Sequence, residues 1–237
     1  MPGMVGAVRI EDTIARVWRA EAARIIGGLT RLVRDVSLAE EFAQDALVVA
    51  LEQWPRTGLP ENPGAWLMTT AKHRALNALQ RARRSETTGA TLVHELDTQV
   101  PLAELEAALE ARMDSDVADD VLRLLFAACH PLLSKEARVT LTLRLVGGLS
   151  TAEIARAFLT LEPTIAQRIV RAKKTLGEAR VPFEVPRGAE LGPRLSSVLE
   201  VVYLIFNEGY SATAGEDLMR PALMDEAVRL GGLLASL

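Results

Sequence analysis

The chain has 237 residues and carries 27 Lys and Arg against 31 Asp and Glu, for a formal net charge of −4. Ala, Leu, Arg and Glu dominate while aromatics make up only 4%, a balance that favours helices packed on helices over sheets. The single cysteine, Cys129, excludes an intramolecular disulfide and a cysteine-rich metal site. With no apolar run of about 18 residues and no cleavable leader pattern, the expectation is a cytoplasmic protein that keeps off the membrane.

The small net charge hides a strong alternation. Residues 56–84 sum to +5, residues 86–120 to −9, residues 121–182 to +6 and residues 183–237 to −4. A simple DNA-binding module is usually basic throughout, because neutralising phosphates supplies most of its non-specific affinity. If the basic blocks meet a polyanion such as DNA, either a larger assembly delivers the chain to it or the acidic parts screen the basic ones.

Residues 10–54 read as helices. Asp35 and Ser37 are start signals, and Leu38, Phe42, Ala46, Val49 and Ala50 recur at helical spacing. Pro55, Gly58 and Pro60 break the pattern, so Trp54 to Glu61 reads as a loop. Asn62 offers an N-cap and Pro63 suits a first helical position, opening a helix to about Arg84. Around that helix Leu67, Met68, Ala71, Ala75, Ala78 and Leu79 fall on one arc, and Trp66, Thr70, His73, Arg74, Asn77 and Arg81 on the other. An indole grouped with cations and amides suits a surface that stacks on bases while cations hold phosphates. Alternatively, Trp66 covers the end of the core and the cations form a solvated face.

Residues 85–118 are acidic and weakly periodic, the best candidate linker. Helices resume near Asp119, end at Gly147 and Gly148, and restart at Ser150, where Glu153 completes a capping box. The stretch LSTAEIARAFLTLEPTIAQRIVRAKKTL then has the layout of a helix-turn-helix. Ile165, Ile169, Ala172 and Leu176 form its inward stripe above Ile154, Ala155 and Phe158. Thr164, Gln167, Arg171 and Lys174 point outward with Arg168 on the flank, residue types that read base edges and phosphates. The competing reading is an ordinary helical hairpin with solubilising cations. Cys129 and His130 read as packing or a helix end rather than as metal ligands. Past the break from Pro182 to Pro186, Leu191, Leu195, Val198, Val202 and Ile205 mark one more helix, and Leu223, Ala227, Leu230 and Leu234 a shorter one. Asn207, Glu208 and Tyr210 read as ordering the loop between them. There is no phosphate-cradling glycine loop, nucleophile elbow or zinc-hydrolase pattern, so no enzyme activity and no cofactor are expected.

In this order the blocks resemble the extracytoplasmic-function (ECF) sigma factors of bacterial RNA polymerase. DVSLAEEFAQDALVVALEQW looks like the segment of sigma region 2 that binds the polymerase clamp, and NPGAWLMTTAKHRALNALQRARR looks like its promoter-melting helix. LSKEARVTLTLRLVGGLSTAEIARAFLTLEPTIAQRIVRAKKTL looks like region 4. PFEVPRGAEL and YLIFNEGYSATAGEDL are similar to the subgroup with a helical-repeat (TPR-like) extension, here shortened.

The resemblance implies an all-α fold of two small helical domains, region 2 over residues 10–85 and region 4 over residues 119–181. An acidic linker over 86–118 would join them, and a C-terminal helical segment over 186–237 would follow. It implies core RNA polymerase, through its clamp and flap, and promoter DNA as partners. Asp35, Glu40, Glu41, Gln44 and Asp45 would bind the clamp, and the loop from Trp54 to Asn62 would receive a flipped base. Trp66, Lys72, His73, Arg74, Asn77 and Arg81 would hold the opened minus-ten element, while Thr164, Gln167, Arg168, Arg171 and Lys174 would read the minus-35 duplex. The linker has the right sign to thread a positively charged polymerase channel, though a tether that is acidic for solubility reads equally well. The C-terminal segment could contact regions 2 and 4 and regulate them. Three departures stand out: Leu159 where a turn glycine is usual, Leu161 where a hydroxyl cap is common, and Ala166 where a basic residue is frequent. A free-standing helix-turn-helix regulator would leave the first basic helix unexplained, and a helical scaffold would make both basic faces incidental.

Overall fold

The computed structural model describes residues 3–89, 117–210 and 221–235, and among these the ordered elements are helical, with no strand. Helices α1 (Gly3–Val33), α2 (Val36–Thr57) and α3 (Pro63–Gly89) make a first bundle. Helices α4 (Val117–Ala128), α5 (Lys135–Leu145), α6 (Thr151–Ala157) and α7 (Glu162–Glu178) make a second. A single 3₁₀ turn at Gly188–Glu190 leads into α8 (Leu191–Tyr210), which pairs with α9 (Pro221–Leu234).

Local chemistry sets the boundaries of the first bundle. Asp35 caps α2 by accepting from the Ser37 and Leu38 amides at 2.7 and 2.9 Å, satisfying donors that the first turn leaves without helical partners. Asn62 Oδ1 accepts from the Ala65 amide at 3.0 Å and opens α3. Ile14, Ile25, Ile26 and Leu29 of α1 close over Phe42, Ala46, Ala50 and Trp54 of α2 and Leu67, Ala71 and Ala75 of α3, all buried. The alanines at helical spacing let α2 and α3 approach closely.

One expected boundary is corrected. Pro55 does not break the helix at Trp54: α2 runs through it to Thr57 and stops at Gly58, whose φ is 84° and whose amide reaches the Trp54 carbonyl at 3.0 Å. Proline removes one amide but stands in the last turn, and Trp54, 1% exposed, ties that turn into the core. The irregular stretch thus shortens to 58–62. At its other end α3 continues to Gly89; most of the expected linker lies outside the described residues.

In the second bundle α5 is the central element, buried from Arg138 to Leu143 and again at Leu145. Ser150 and Glu153 form the expected capping box at the start of α6. Ile165, Ile169, Ala172 and Leu176 are the buried residues of α7, as their spacing predicts.

The two bundles are docked on each other through α1. A Cβ on Gly27 would lie 2.8 Å from the Asp120 carbonyl oxygen, so α4 comes this close only where α1 has no side chain. Gly148 adopts φ +65°, and its Cβ would stand 3.1 Å from the Arg19 Cα. The C-terminal helices pack on the second bundle. Arg194 donates to the Phe126 carbonyl at 2.9 Å, Ser197 to the Cys129 carbonyl at 2.6 Å, and Arg229 to the Val146 carbonyl at 3.0 Å.

Candidate nucleic-acid and polymerase interface

On α3 the exposed side chains include His73, Arg74, Asn77 and Arg81, with Lys72 half-buried. Arg81 folds back to the Asn77 carbonyl at 3.1 Å, and Arg74 lies 3.3 Å from Asp45 of α2. That pair joins a residue expected to hold DNA to one expected to face polymerase. Both partners are 46% exposed, so water screens the attraction and leaves Arg74 available to a phosphate. Trp66 differs from its expected outward position. It is half-buried and meets Trp54 edge to face, with ring centroids 5.3 Å apart. The indole covers the end of the core, which is the alternative that the sequence left open, and part of it remains accessible.

The expected polymerase face on α2 separates into three environments. Glu41 is exposed and Asp45 half-buried, while Asp35 is engaged as the cap. Leu38, Val48 and Leu51 add exposed apolar surface at 42%, 51% and 42%. Glu40 is corrected: it does not point outward but is 2% exposed. Its carboxylate accepts from Arg144 Nε and Lys173 Nζ, each at 2.7 Å, and from Gln44 Nε2 at 2.5 Å. Sequence reading missed Arg144 and Lys173, which lie 104 and 133 residues from Glu40 and carry no local signal of a shared partner.

On α7, Thr164, Gln167, Arg171 and Lys174 are exposed along one face, as expected. Lys174 stands 3.7 Å from Glu178, a solvated pair. Arg168 is half-buried and reaches Thr140 of α5 at 3.4 Å, consistent with its flanking position. The turn before α7 holds Leu159 at φ +47°, and Leu161 stands at the N-cap with no side-chain bond to the helix. Cys129 is fully buried beside Thr142 at 3.3 Å, and burial pushes its thiol up to about 12; it stays protonated and unreactive. His130 Nδ1 accepts from the Leu132 amide at 3.2 Å, and burial, with Arg194 second, holds the ring below the usual histidine range. Among the described residues no group of three or more His, Cys, Asp or Glu could hold a metal ion, and no helix is long and apolar enough to cross a membrane.

Two helical bundles, each presenting a cationic helix face, define an all-α class of protein. Residues 17–85 match the family model Sigma-70 region 2, residues 123–176 match Sigma-70, region 4, and residues 194–237 match a family of unknown function (DUF6596). The chain is 31% identical over 186 residues to the ECF RNA polymerase sigma factor SigK of Mycolicibacterium vanbaalenii, covering 86% of that protein and 73% of this one. It is 41% identical over 214 residues to an uncharacterized protein of Rhizobium meliloti, covering 90% of this chain and 49% of that protein. It is 26% identical over 176 residues to the probable ECF RNA polymerase sigma factor SigI of Mycobacterium tuberculosis, covering 73% and 58%. The chain belongs to the ECF sigma factors of the sigma-70 family. It spans about half of the Rhizobium relative and 58% of SigI.

Proposed function

We propose that this chain binds core RNA polymerase and directs it to promoters, reading the minus-35 duplex with α7 and holding the opened minus-ten strand on α3. The observation that carries this reading is the pair of cationic faces, one in each matched sigma region: His73, Arg74, Asn77 and Arg81 on α3, and Thr164, Gln167, Arg171 and Lys174 on α7. Their chemistry differs as the task requires. The α7 face carries an amide, a hydroxyl and cations on a helix whose opposite side is anchored, the arrangement that reads a major groove. The α3 face sets cations beside a partly accessible indole, an arrangement that suits an unpaired strand.

Polymerase is met by the exposed strip of α2, where Leu38, Val48 and Leu51 alternate with Glu41 and Glu52. We assign region 2 to residues 10–85, region 4 to 119–181 and a regulatory segment to 186–237; the seating of α8 and α9 on the second bundle supports that last assignment. Run-off transcription with purified core polymerase on a genomic fragment library tests the reading. Transcripts that start at defined sites only when this chain is present are the expected result. Tight binding to duplex DNA without polymerase, and no transcripts with it, would instead mark a free-standing regulator.

A further inference from the structure

The DNA and polymerase faces proposed above leave one cavity aside. It has a volume of about 930 Å³ and lies where the turn from α1 to α2 meets the end of α7 and the residues that follow it. Among the described residues four cations line it, Arg31, Arg34, Lys173 and Arg180, against one carboxylate, Asp35. Leu32, Leu176, Val181 and Phe183 give it an apolar wall. A concave site of this size, apolar with a few convergent charged groups, has the form of a small-molecule pocket.

The cations fall into two pairs. Lys173 meets Glu40 at 2.7 Å and Arg31 faces Asp120 at 3.4 Å, so their charge is answered within the fold. Asp35 is taken up as the cap of α2. Arg34 and Arg180 are exposed, and neither side chain has a hydrogen bond or ion pair among the described residues. Their backbones set them apart as well. Of the three non-glycine residues with positive φ among the described residues, these are two, at 56° and 47°. Each stands just past a helix end, where glycine is the usual residue. The Arg34 amide reaches the Thr30 carbonyl at 2.7 Å. At the end of α7 the Arg180 amide reaches the Gly177 carbonyl at 3.0 Å and the Val181 amide the Leu176 carbonyl at 3.1 Å. A Cβ is strained in this left-handed region, so the helix endings themselves do not call for arginine. Strain of this kind collects at ligand clamps.

We propose that this cavity binds a small phosphate monoester with an aromatic body, its phosphate held by Arg34 and Arg180 and its ring against Phe183, Val181 and Leu176. Two guanidiniums match the double charge of a monoester better than the single charge of a carboxylate, and their planar donors fork onto its oxygens. The apolar wall favours an organic ester over inorganic phosphate. A DNA backbone offers only singly charged diesters, so a duplex is a separate arm of the test. The site stands whether or not the sigma reading does, because it is tested on the free chain.

The purified chain is melted and titrated calorimetrically with naphthyl phosphate and adenosine monophosphate, beside inorganic phosphate, adenosine and a short DNA duplex. At about a hundredfold excess over its Kd, at least one ester should raise Tm by roughly 5–10 °C. That ester should bind about tenfold or more tighter than inorganic phosphate, and the duplex should not displace it. Arg34→Gly combined with Arg180→Gly should melt at or above the parent, because glycine suits both backbones, yet lose ester affinity by about tenfold or more. Phe183→Ala should bring ester affinity down toward that of inorganic phosphate, and it carries the test if the double variant fails to fold. Arg171→Ala, outside the cavity, should bind the ester as the parent does. Esters that bind no tighter than inorganic phosphate, undiminished binding in the double glycine variant or in Phe183→Ala, or loss of binding in Arg171→Ala would each overturn the site.

Discussion

Leu159 holds φ +47° in the turn between α6 and α7, and its side chain is 70% exposed. The left-handed conformation costs a residue with a Cβ about 1–2 kcal/mol, and an exposed leucine gains little from packing to offset it. Leu159→Gly should stabilise the chain by roughly 1 kcal/mol, a rise in Tm of about 2–4 °C by calorimetry. Leu161, 74% exposed at the N-cap, offers no oxygen to the first turn of α7. Leu161→Ser should add about 1 kcal/mol by capping it.

Glu153 gives a pH signature at the same scale. Burial alone would raise its pKa, but the Ser150 amide and hydroxyl and the Arg19 guanidinium outweigh burial and hold the carboxyl below its ordinary value of 4.5. A lowered folded-state value means stability that is present above that ordinary value and lost as pH falls through the lowered one. Glu153→Gln should therefore melt below the parent at pH 7, and the gap should narrow as the pH drops below 4.5. A gap independent of pH would contradict the ion-paired capping box.

At the scale of whole elements, α7 shows what spacing alone reveals. The buried stripe of Ile165, Ile169, Ala172 and Leu176 and the exposed face of Thr164, Gln167, Arg171 and Lys174 follow from helical period. The capping box at Ser150 was equally legible, because its two halves stand three residues apart. Arg171→Ala is expected to cost about 1–3 kcal/mol in promoter affinity of the assembled polymerase, while moving stability by no more than about 0.5 kcal/mol. Footprinting against a thermal melt separates the two.

What spacing could not give are the contacts between elements. Trp66 lies on the polar arc of α3 by angle, yet it turns its ring onto Trp54 of α2. Pro55 reads as a stop, yet the burial of Trp54 carries the helix past it. Trp66→Ala should lower stability by about 2 kcal/mol, with Trp66→Phe restoring much of it, because a ring edge is the lost contact. Equal melts for both variants would mean that the indole nitrogen, not the ring, matters.

At the scale of the molecule, the seam between bundles is set by small residues and buried charge that no local pattern announces. Glu40 looks like a solvent-facing helix residue until Arg144 and Lys173 arrive from more than 100 positions away. Gly27 looks like an ordinary interruption of α1 until the Asp120 carbonyl is found against it. Gly27→Ala puts a methyl within 2.8 Å of that carbonyl oxygen, and neither helix backbone can yield locally without disturbing its own hydrogen bonds. The overpacking cost of about 1–3 kcal/mol should therefore be met by separation of the seam.

Gly148→Ala strains the same seam from the other side, since its Cβ would press on the Arg19 Cα at 3.1 Å, and it carries a left-handed φ as well. Once one methyl has parted the bundles, the second has less contact to destroy. The double variant should then lose less stability than the two single losses added together, with the left-handed strain at position 148 remaining. Strict additivity across the four melts would show that the two sites respond separately and that the bundles do not part as a unit. Sub-additive loss, together with faster amide exchange along α4 and α6 but unchanged protection in α2, would show a seam that opens as one joint.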